Sequence, residues 1–464
     1  VRTCIFAAAA AFVAMGLLRT VPAFAADAGL LPTVATRAAA ESLDAAMMSA
    51  YANNPTLNAE RARARVTDES VPQALSAFRP AIAGSAGAQR NISETTGIGP
   101  VSGSVSLEVT QSIFAGFRNL NGVRSAETAV LSARETLRGA EQTTLLAAAT
   151  AFMNLVQAQA TVNLRRTNIE FLQQQVRAAE DRLSAGTGTR TDVASAQANL
   201  AAAQLQYDQA VSALNTAIAV YEQVIGHRPR SLGTARSVEP LLPRSLAQAL
   251  EIGFASHPSI KIAEYSVDTA DFAVKSAEGA LLPSVSASAG VTRSLATNGT
   301  TSTSGSVSAR MNVPLWSGGA PSSRVRAAKE TLGQRRIELD AAREQVRQSV
   351  TSAWGALDAA RASIRSADAA VAAQQLVVSG FTEQLRVGQA TTIDLLREQQ
   401  NLLTVQVAQV TAQRDRVVAG YTLLAAIGML SVRTLGLPVD EYDPVEHYEL
   451  VRDKLHGIRT PDGR

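Results

Sequence analysis

Cysteine is almost missing from this chain. Among 464 residues only Cys4 carries a thiol, and it precedes an apolar run over residues 5–18, too early for a lipid-attachment cysteine. Beyond the start there is no disulfide, no thiolate nucleophile and no cysteine-based metal site. Histidine is nearly as scarce: His227, His257, His447 and His456 are scattered without the HExxH spacing of a zinc enzyme. Aromatic residues make up 4% of the chain. No basic patch is interleaved with them, which argues against a nucleic-acid partner. No catalytic constellation can be assembled, so the residues point to no enzyme and no cofactor. The apolar fraction is 46%, much of it alanine, against 18% charged. That balance argues against wholesale disorder and suits closely packed helices better than a thick globular core.

The start has the composition of a secretory signal. Arg2 precedes the apolar run, and Ala23-Phe24-Ala25 offers small residues to a signal peptidase. Residues 1–25 are expected to be removed, with the valine at position 1 an alternative start codon. Their loss takes away Arg2 and Arg19 and lowers the formal net charge from +3 to +1. The apolar run is short for a membrane anchor. An exported protein held by packing alone is expected.

Proline is absent between Pro100 and Pro229 and again between Pro321 and Pro438. Inside a helix proline costs about 3 kcal/mol, so such gaps permit long unbroken helices. Residues 119–184 and 322–385 are expected as single helices of about 100 Å, returning through helices at about 191–224 and 391–427. These stretches are copies of one plan. Residues 42–55 align with 245–258 at an offset of 203, which also carries Pro80 onto Pro283 and Arg90 onto Arg293. After one deletion an offset of 202 pairs Ile113-Phe114-Ala115-Gly116 with Leu315-Trp316-Ser317-Gly318, and later Gly186 with Gly388 and Asp192 with Asp394. The expected organisation is a signal at 1–25, a first repeat at 26–240, a second at 241–436 and a charged tail at 437–464. Each repeat supplies a helix, a β-hairpin (about 80–114 and 282–316) and a long helical hairpin. The returning helices carry a three-four apolar seam. One runs from Val193 through Ala196, Leu200 and Ala203 to Tyr221 and Val224. The other runs from Ile393 through Leu396 and Leu403 to Tyr421 and Leu424, broken by Gln400 and Arg414.

The hairpin segments alternate with period two. Val101, Val105, Leu107, Val109 and Ile113 oppose Ser102, Ser104, Ser106, Glu108 and Thr110. The second copy has Val307, Ala309 and Met311 against Ser306, Ser308 and Arg310. Gly97-Ile98-Gly99-Pro100 and Asn298-Gly299 are expected as the hairpin loops; no helix opens after the first, so it is no phosphate cradle. Ten-residue strands with one polar and one apolar face fit a transmembrane barrel around a wet lumen. Four strands cannot close one, so several chains would have to contribute.

In sequence order the chain carries Ala50-Tyr51-Ala52-Asn53-Asn54-Pro55, then Asp68-Glu69-Ser70-Val71-Pro72-Gln73-Ala74, with Arg79-Pro80 after it. The paired tips follow, Ala185-Gly186-Thr187-Gly188-Thr189 and Val387-Gly388-Gln389-Ala390-Thr391. On these residues, over about 40–436, it resembles the TolC family of outer-membrane efflux and type I secretion channels. The resemblance implies a mainly α fold with a small transmembrane β part. As a homotrimer this gives a twelve-stranded β-barrel, continued by a long α-helical barrel into the periplasm. It also implies a passive export duct for drugs or secreted proteins, set in outer-membrane lipid. The implied partners are a periplasmic adaptor (membrane fusion) protein and an inner-membrane ABC or proton-driven exporter.

Gly186, Thr187, Gly188, Thr189, Val387, Gly388, Gln389, Ala390 and Thr391 are then the adaptor-contact tips. Asp192 and Asp394 match the family's periplasmic constriction. Arg397 stands one turn past Asp394 where a second acid is expected, Leu385 and Ala390 replace polar tip residues, and Arg190 is the compensating charge. Read without the family, Thr189-x-x-Asp192 and Thr391-x-x-Asp394 are capping boxes that start the returning helices. Glu108 and Arg310 occupy equivalent lumen-facing places and are expected to pair. The tail is expected to lie against the helices or to be partly disordered. The competing reading is a periplasmic helical-hairpin adaptor or scaffold of an export system. Duplicated strand pairs with a polar face weigh against it.

Overall fold

In a computed structural model of the protein, the structure describes residues 41–93, 97–233, 235–296, 299–461 and 463. The expected signal segment lies outside them. The described chain opens with α1 (Leu43–Asn53) and α2 (Pro55–Asp68), parted by a single residue. Pro55 is tolerated in the first turn, where its missing N–H has no partner to lose. It also pushes Asn54 out of the helical region, to φ −63° and ψ 122°. Asn54 uses that freedom as a cap. Its Oδ1 accepts the N–H groups of Thr56 (2.9 Å) and Leu57 (3.3 Å), and its amide donates to the Val224 carbonyl (2.9 Å). A short α3 (Ser70–Leu75) leads into β1 (Ala81–Ser93) and β2 (Gly97–Ala115), then α4 (Arg118–Ser184) and α5 (Arg190–Ile225).

The plan is then repeated. α6 (Leu246–Ser256) and α7 (Pro258–Gly279) meet at His257, which caps α7 as Asn54 caps α2. β3 (Ser284–Ala296), β4 (Thr301–Asn312), α8 (Ala320–Arg386) and α9 (Thr392–Ala426) follow. α4 and α8 are 67 residues each, about 100 Å of helix. α10 (Val432–Leu435) and α11 (Pro444–Val451) are the last helices of the described residues.

The strands form one antiparallel sheet in the order β1-β2-β3-β4. The first loop is shorter than expected, because Gly97-Ile98-Gly99-Pro100 belongs to β2. Arg90 pairs with Val101 and Ile92 with Ile98, so Gly99-Pro100 forms a bulge opposite Asn91. A bulge suits proline, which has no N–H to give the ladder. Where β2 turns into α4, Gly116 lies against Gly279 at the end of α7. A Cβ built on Gly116 would stand 2.1 Å from the Gly279 carbonyl oxygen. Strand exit and helix end therefore meet backbone to backbone.

The main core lies around α1 and the long helices beside it. Leu43, Met47, Tyr51, Leu145, Phe152, Tyr221, Val350, Leu357, Tyr421 and Leu423 are buried there. A second, thinner cluster joins Leu172, Ala203 and Leu396, with Leu200 against it. Two details of the second seam differ from expectation. Ile393 is 43% exposed, and the buried side chains near that end are Leu395 and Leu396. Arg414 does not interrupt the packing; its Nε (2.8 Å) and Nη2 (2.6 Å) both donate to Asn154 Oδ1 on α4.

The tail is folded where α11 meets α2. His447 Nδ1 lies 2.9 Å from Asp68 Oδ2, the Arg134 guanidinium stands over the Tyr448 ring, and the Tyr442 N–H donates to the Tyr51 hydroxyl. Burial raises the Asp68 carboxyl pKa, and the His447 contact opposes that rise.

Candidate functional site

Two parts of the molecule carry the sequence-derived site residues: the helical tips and the sheet. Both tips are built alike. α4 ends with Thr187 N–H donating to the Arg182 carbonyl (2.9 Å), and α8 with Gln389 N–H donating to Gln384 (2.8 Å). Those six-residue closures need a left-handed residue in the middle. Gly186 (φ +76°) and Gly388 (φ +77°) supply it, in open space that a Cβ would not clash with. The strain of a substitution would be purely conformational.

The next helix starts at once in each tip. The Thr189 hydroxyl and N–H donate to Asp192 Oδ2 (2.7 and 3.0 Å), and Asp192 N–H donates back to the hydroxyl (3.1 Å). Thr391 and Asp394 repeat this at 2.6, 3.1 and 3.2 Å. Both capping boxes are complete. Hydrogen bonds from Thr189, side chain first, hold the Asp192 carboxyl below the usual range, and those from Thr391 do the same for Asp394. Each aspartate spends Oδ2 on its cap.

The charges around the tips are not arranged quite as the sequence suggested. Arg190 is exposed at the first position of α5, where a cation opposes the helix dipole. The cation acting on Asp192 is Arg182, and that acting on Asp394 is Arg397. Arg182 Nη1 also donates to Thr392 Oγ1 (2.6 Å), tying the end of α4 to the start of α9. Sequence reasoning missed this link, since a basic residue in the last turn of a helix is ordinary. The tip residues are exposed or half-buried, and Val387 stands 60% exposed.

In the sheet, pairing decides which residues share a face. One row runs Ile82, Val109, Ala289, Val307, and the next Gly84, Leu107, Val291, Gly305. The opposite face has Ser85, Ser106, Thr292 and Ser304 in one row. One face is mainly apolar, with Arg90, Gln111, Arg293, Thr301 and Thr303 as its polar members, and the other carries hydroxyls, chiefly from β2, β3 and β4. Val105, Leu107, Val291, Val307 and Met311 are exposed on the first.

Glu108 and Arg310 both belong to the hydroxyl face but do not face each other, which corrects the expected pair. Glu108 stands in the row of Gly290 and Ser306, whereas Arg310 stands in the row of Ser286 and Ser112. Four residues along the strands and two strands across separate them, about 16 Å. The rows also show a stagger. Ala81 pairs through Thr110 with Ser288, four residues beyond Ser284, which holds the place of Ala81 in the second repeat. Strands displaced in this way tilt, as closure into a barrel requires. β1 and β4 each keep one unpaired edge within the chain.

Comparison with known proteins agrees with this geometry. A family model described as outer membrane efflux protein matches residues 46–227 and again 252–429, once on each repeat. The chain is 43% identical over 437 residues to the outer membrane efflux protein BepC of Brucella suis biovar 1 (strain 1330), spanning 93% of this chain and 95% of that one. It is 24% identical over 340 residues to the alkaline protease secretion protein AprF of Pseudomonas aeruginosa, covering 71% and 70%. The solved outer membrane channel CmeC of Campylobacter jejuni matches with a TM-score of 0.75 at 16% identity, over 89% of each chain. That last likeness is one of fold.

Proposed function

The chain belongs to the outer membrane efflux protein family, and from that premise we propose that three copies close one duct whose periplasmic mouth is gated by the helical tips. The protein is an outer-membrane subunit of a passive export channel. Its sheet carries the trimer reading. A transmembrane strand has no water to satisfy its backbone, so the open edges of β1 and β4 require partners. β4 of one copy meeting β1 of the next supplies them, and three sheets of four strands close with the hydroxyl face inward.

The tips are the proposed gate and docking end. Asp192 and Asp394, with Arg190 and Arg397 beside them, gather around the axis of a trimer. Each aspartate is held ionised by its cap, which keeps a negative ring at the mouth. The exposed turns at Gly186–Thr189 and Val387–Thr391 are the proposed contacts for a periplasmic adaptor, with an inner-membrane exporter behind it. The relatives' names point to efflux for BepC and to protease secretion for AprF, and the pump is proposed to choose the cargo. Planar-bilayer recording of the purified protein tests the duct. Discrete conductance steps that scale with trimer concentration are expected, and a trimer without conductance would remove the reading.

A further inference from the structure

Four charged residues lie on the four strands, and their faces differ. Glu108 and Arg310 are on the hydroxyl face. Arg90 and Arg293 are on the apolar face, in rows with Val101 and with Val105 and Thr303. Among the described strand residues, the one acid, Glu108, lies on the hydroxyl face. We propose that Arg90 and Arg293 form a phosphate-binding girdle for the phosphorylated glycolipid of the outer leaflet; this rests on the barrel reading above and names the lipid that barrel holds.

Three observations carry it. First, the two arginines are equivalent: each stands ten residues after its repeat's proline, Pro80 or Pro283, with no gap between. Repeats related by rotation about a barrel axis place equivalent residues at one height, so a trimer carries six arginines in a ring. Second, the height is right. Ala81 to Arg90 is ten residues, and a tilted strand needs about 9–11 to cross the hydrocarbon layer. The intervening outward residues Ile82, Gly84, Ala86 and Ala88 are apolar or glycine. The arginines therefore emerge at the outer headgroup level, where an aliphatic stem lies along the apolar wall and the guanidinium reaches the polar layer. Third, the chemistry is specific. A guanidinium binds phosphate with two parallel N–H donors, and the Thr303 hydroxyl sits across from Arg293 to add a third. Both arginines are exposed. The outer leaflet presents sugar-borne phosphates at this depth, so charge and position match one occupant.

The test uses full-length trimers, stripped of lipid in detergent and titrated with diphosphoryl lipid A, with dephosphorylated lipid A and with phosphatidylglycerol. Native mass spectrometry reads the bound lipid. Diphosphoryl lipid A is expected to bind well above the other two. Arg90→Gln and Arg293→Gln should each weaken it about threefold to tenfold, and the double variant by more. Arg310→Gln, on the opposite face, should leave it unchanged, and the double lysine variant should keep most of it. The girdle is overturned by parent-like binding in the double glutamine variant, by an equal loss in Arg310→Gln, or by phosphatidylglycerol binding as tightly. Heat-modifiable gel migration scores the barrel separately in every variant. A flat titration on intact trimers counts against the arginines alone, and a parent protein that forms no heat-modifiable trimer overturns the girdle and the barrel together.

Discussion

Asp192 and Asp394 each have one oxygen engaged by a threonine, and that geometry sets what a mutation will reveal. The cap holds each carboxyl below its ordinary range. Its contribution is therefore present above the unfolded carboxylate pKa of about 4 and is lost as pH falls through the lower folded value. Replacement by alanine should lower the melting temperature by about 1 °C above pH 5, with a smaller difference from parent below pH 3, by calorimetry. A gate adds a second signature that a cap alone does not. Asp394→Ala should weaken cation selectivity and block by multivalent cations in single-channel recordings, because a narrow mouth focuses the field of its carboxylates. Asp192→Ala should do less if its main task is the cap. Identical block in Asp394→Ala and parent would end the gate reading and leave both aspartates as helix starters.

The elements bring two further outcomes. Gly388 closes α8 in a left-handed turn that a β-branched residue enters only with strain. Gly388→Val should reshape the tip and reduce crosslinking to the adaptor, while the distant sheet still inserts in the membrane. Unchanged crosslinking and export would remove the tips from the docking surface. At the other end of the chain, His447→Ala strips the buried Asp68 of its side-chain partner. Losing a hydrogen bond to a charged group costs about 1.5–3 kcal/mol, so α11 should detach from α2, and limited proteolysis near residue 440 should accelerate. The long helices were legible because proline is excluded from helix interiors and is missing over two long gaps. The docking of α11 was not, since His447 and Asp68 are 379 residues apart and nothing local links them. Arg182 and Thr392, 210 residues apart, were hidden for the same reason.

At the scale of the whole molecule, the open edges of the sheet make the clearest demand. Light scattering in detergent should return a trimer of the mature chain, and a monodisperse monomer would sink the barrel. Alternation along β2, β3 and β4 told the two faces apart, while the small, glycine-rich β1 showed it only weakly, and the repeat offset told that the chain uses one design twice. Neither says which residues lie side by side across strands. The expected Glu108–Arg310 pair failed there, because equivalence by repetition places residues at one height, while strand stagger places different residues in one row.

Composition, proline spacing and periodicity determined the long hairpins, the sheet faces and the capping boxes, since each of these follows from interactions between residues close in sequence. Only the tertiary structure decided the bulge at Gly99-Pro100, the register, the fastening of Arg414 to Asn154 and the seat of α11. Those depend on which distant surfaces meet, and the energy of such contacts is set by packing that no local pattern encodes.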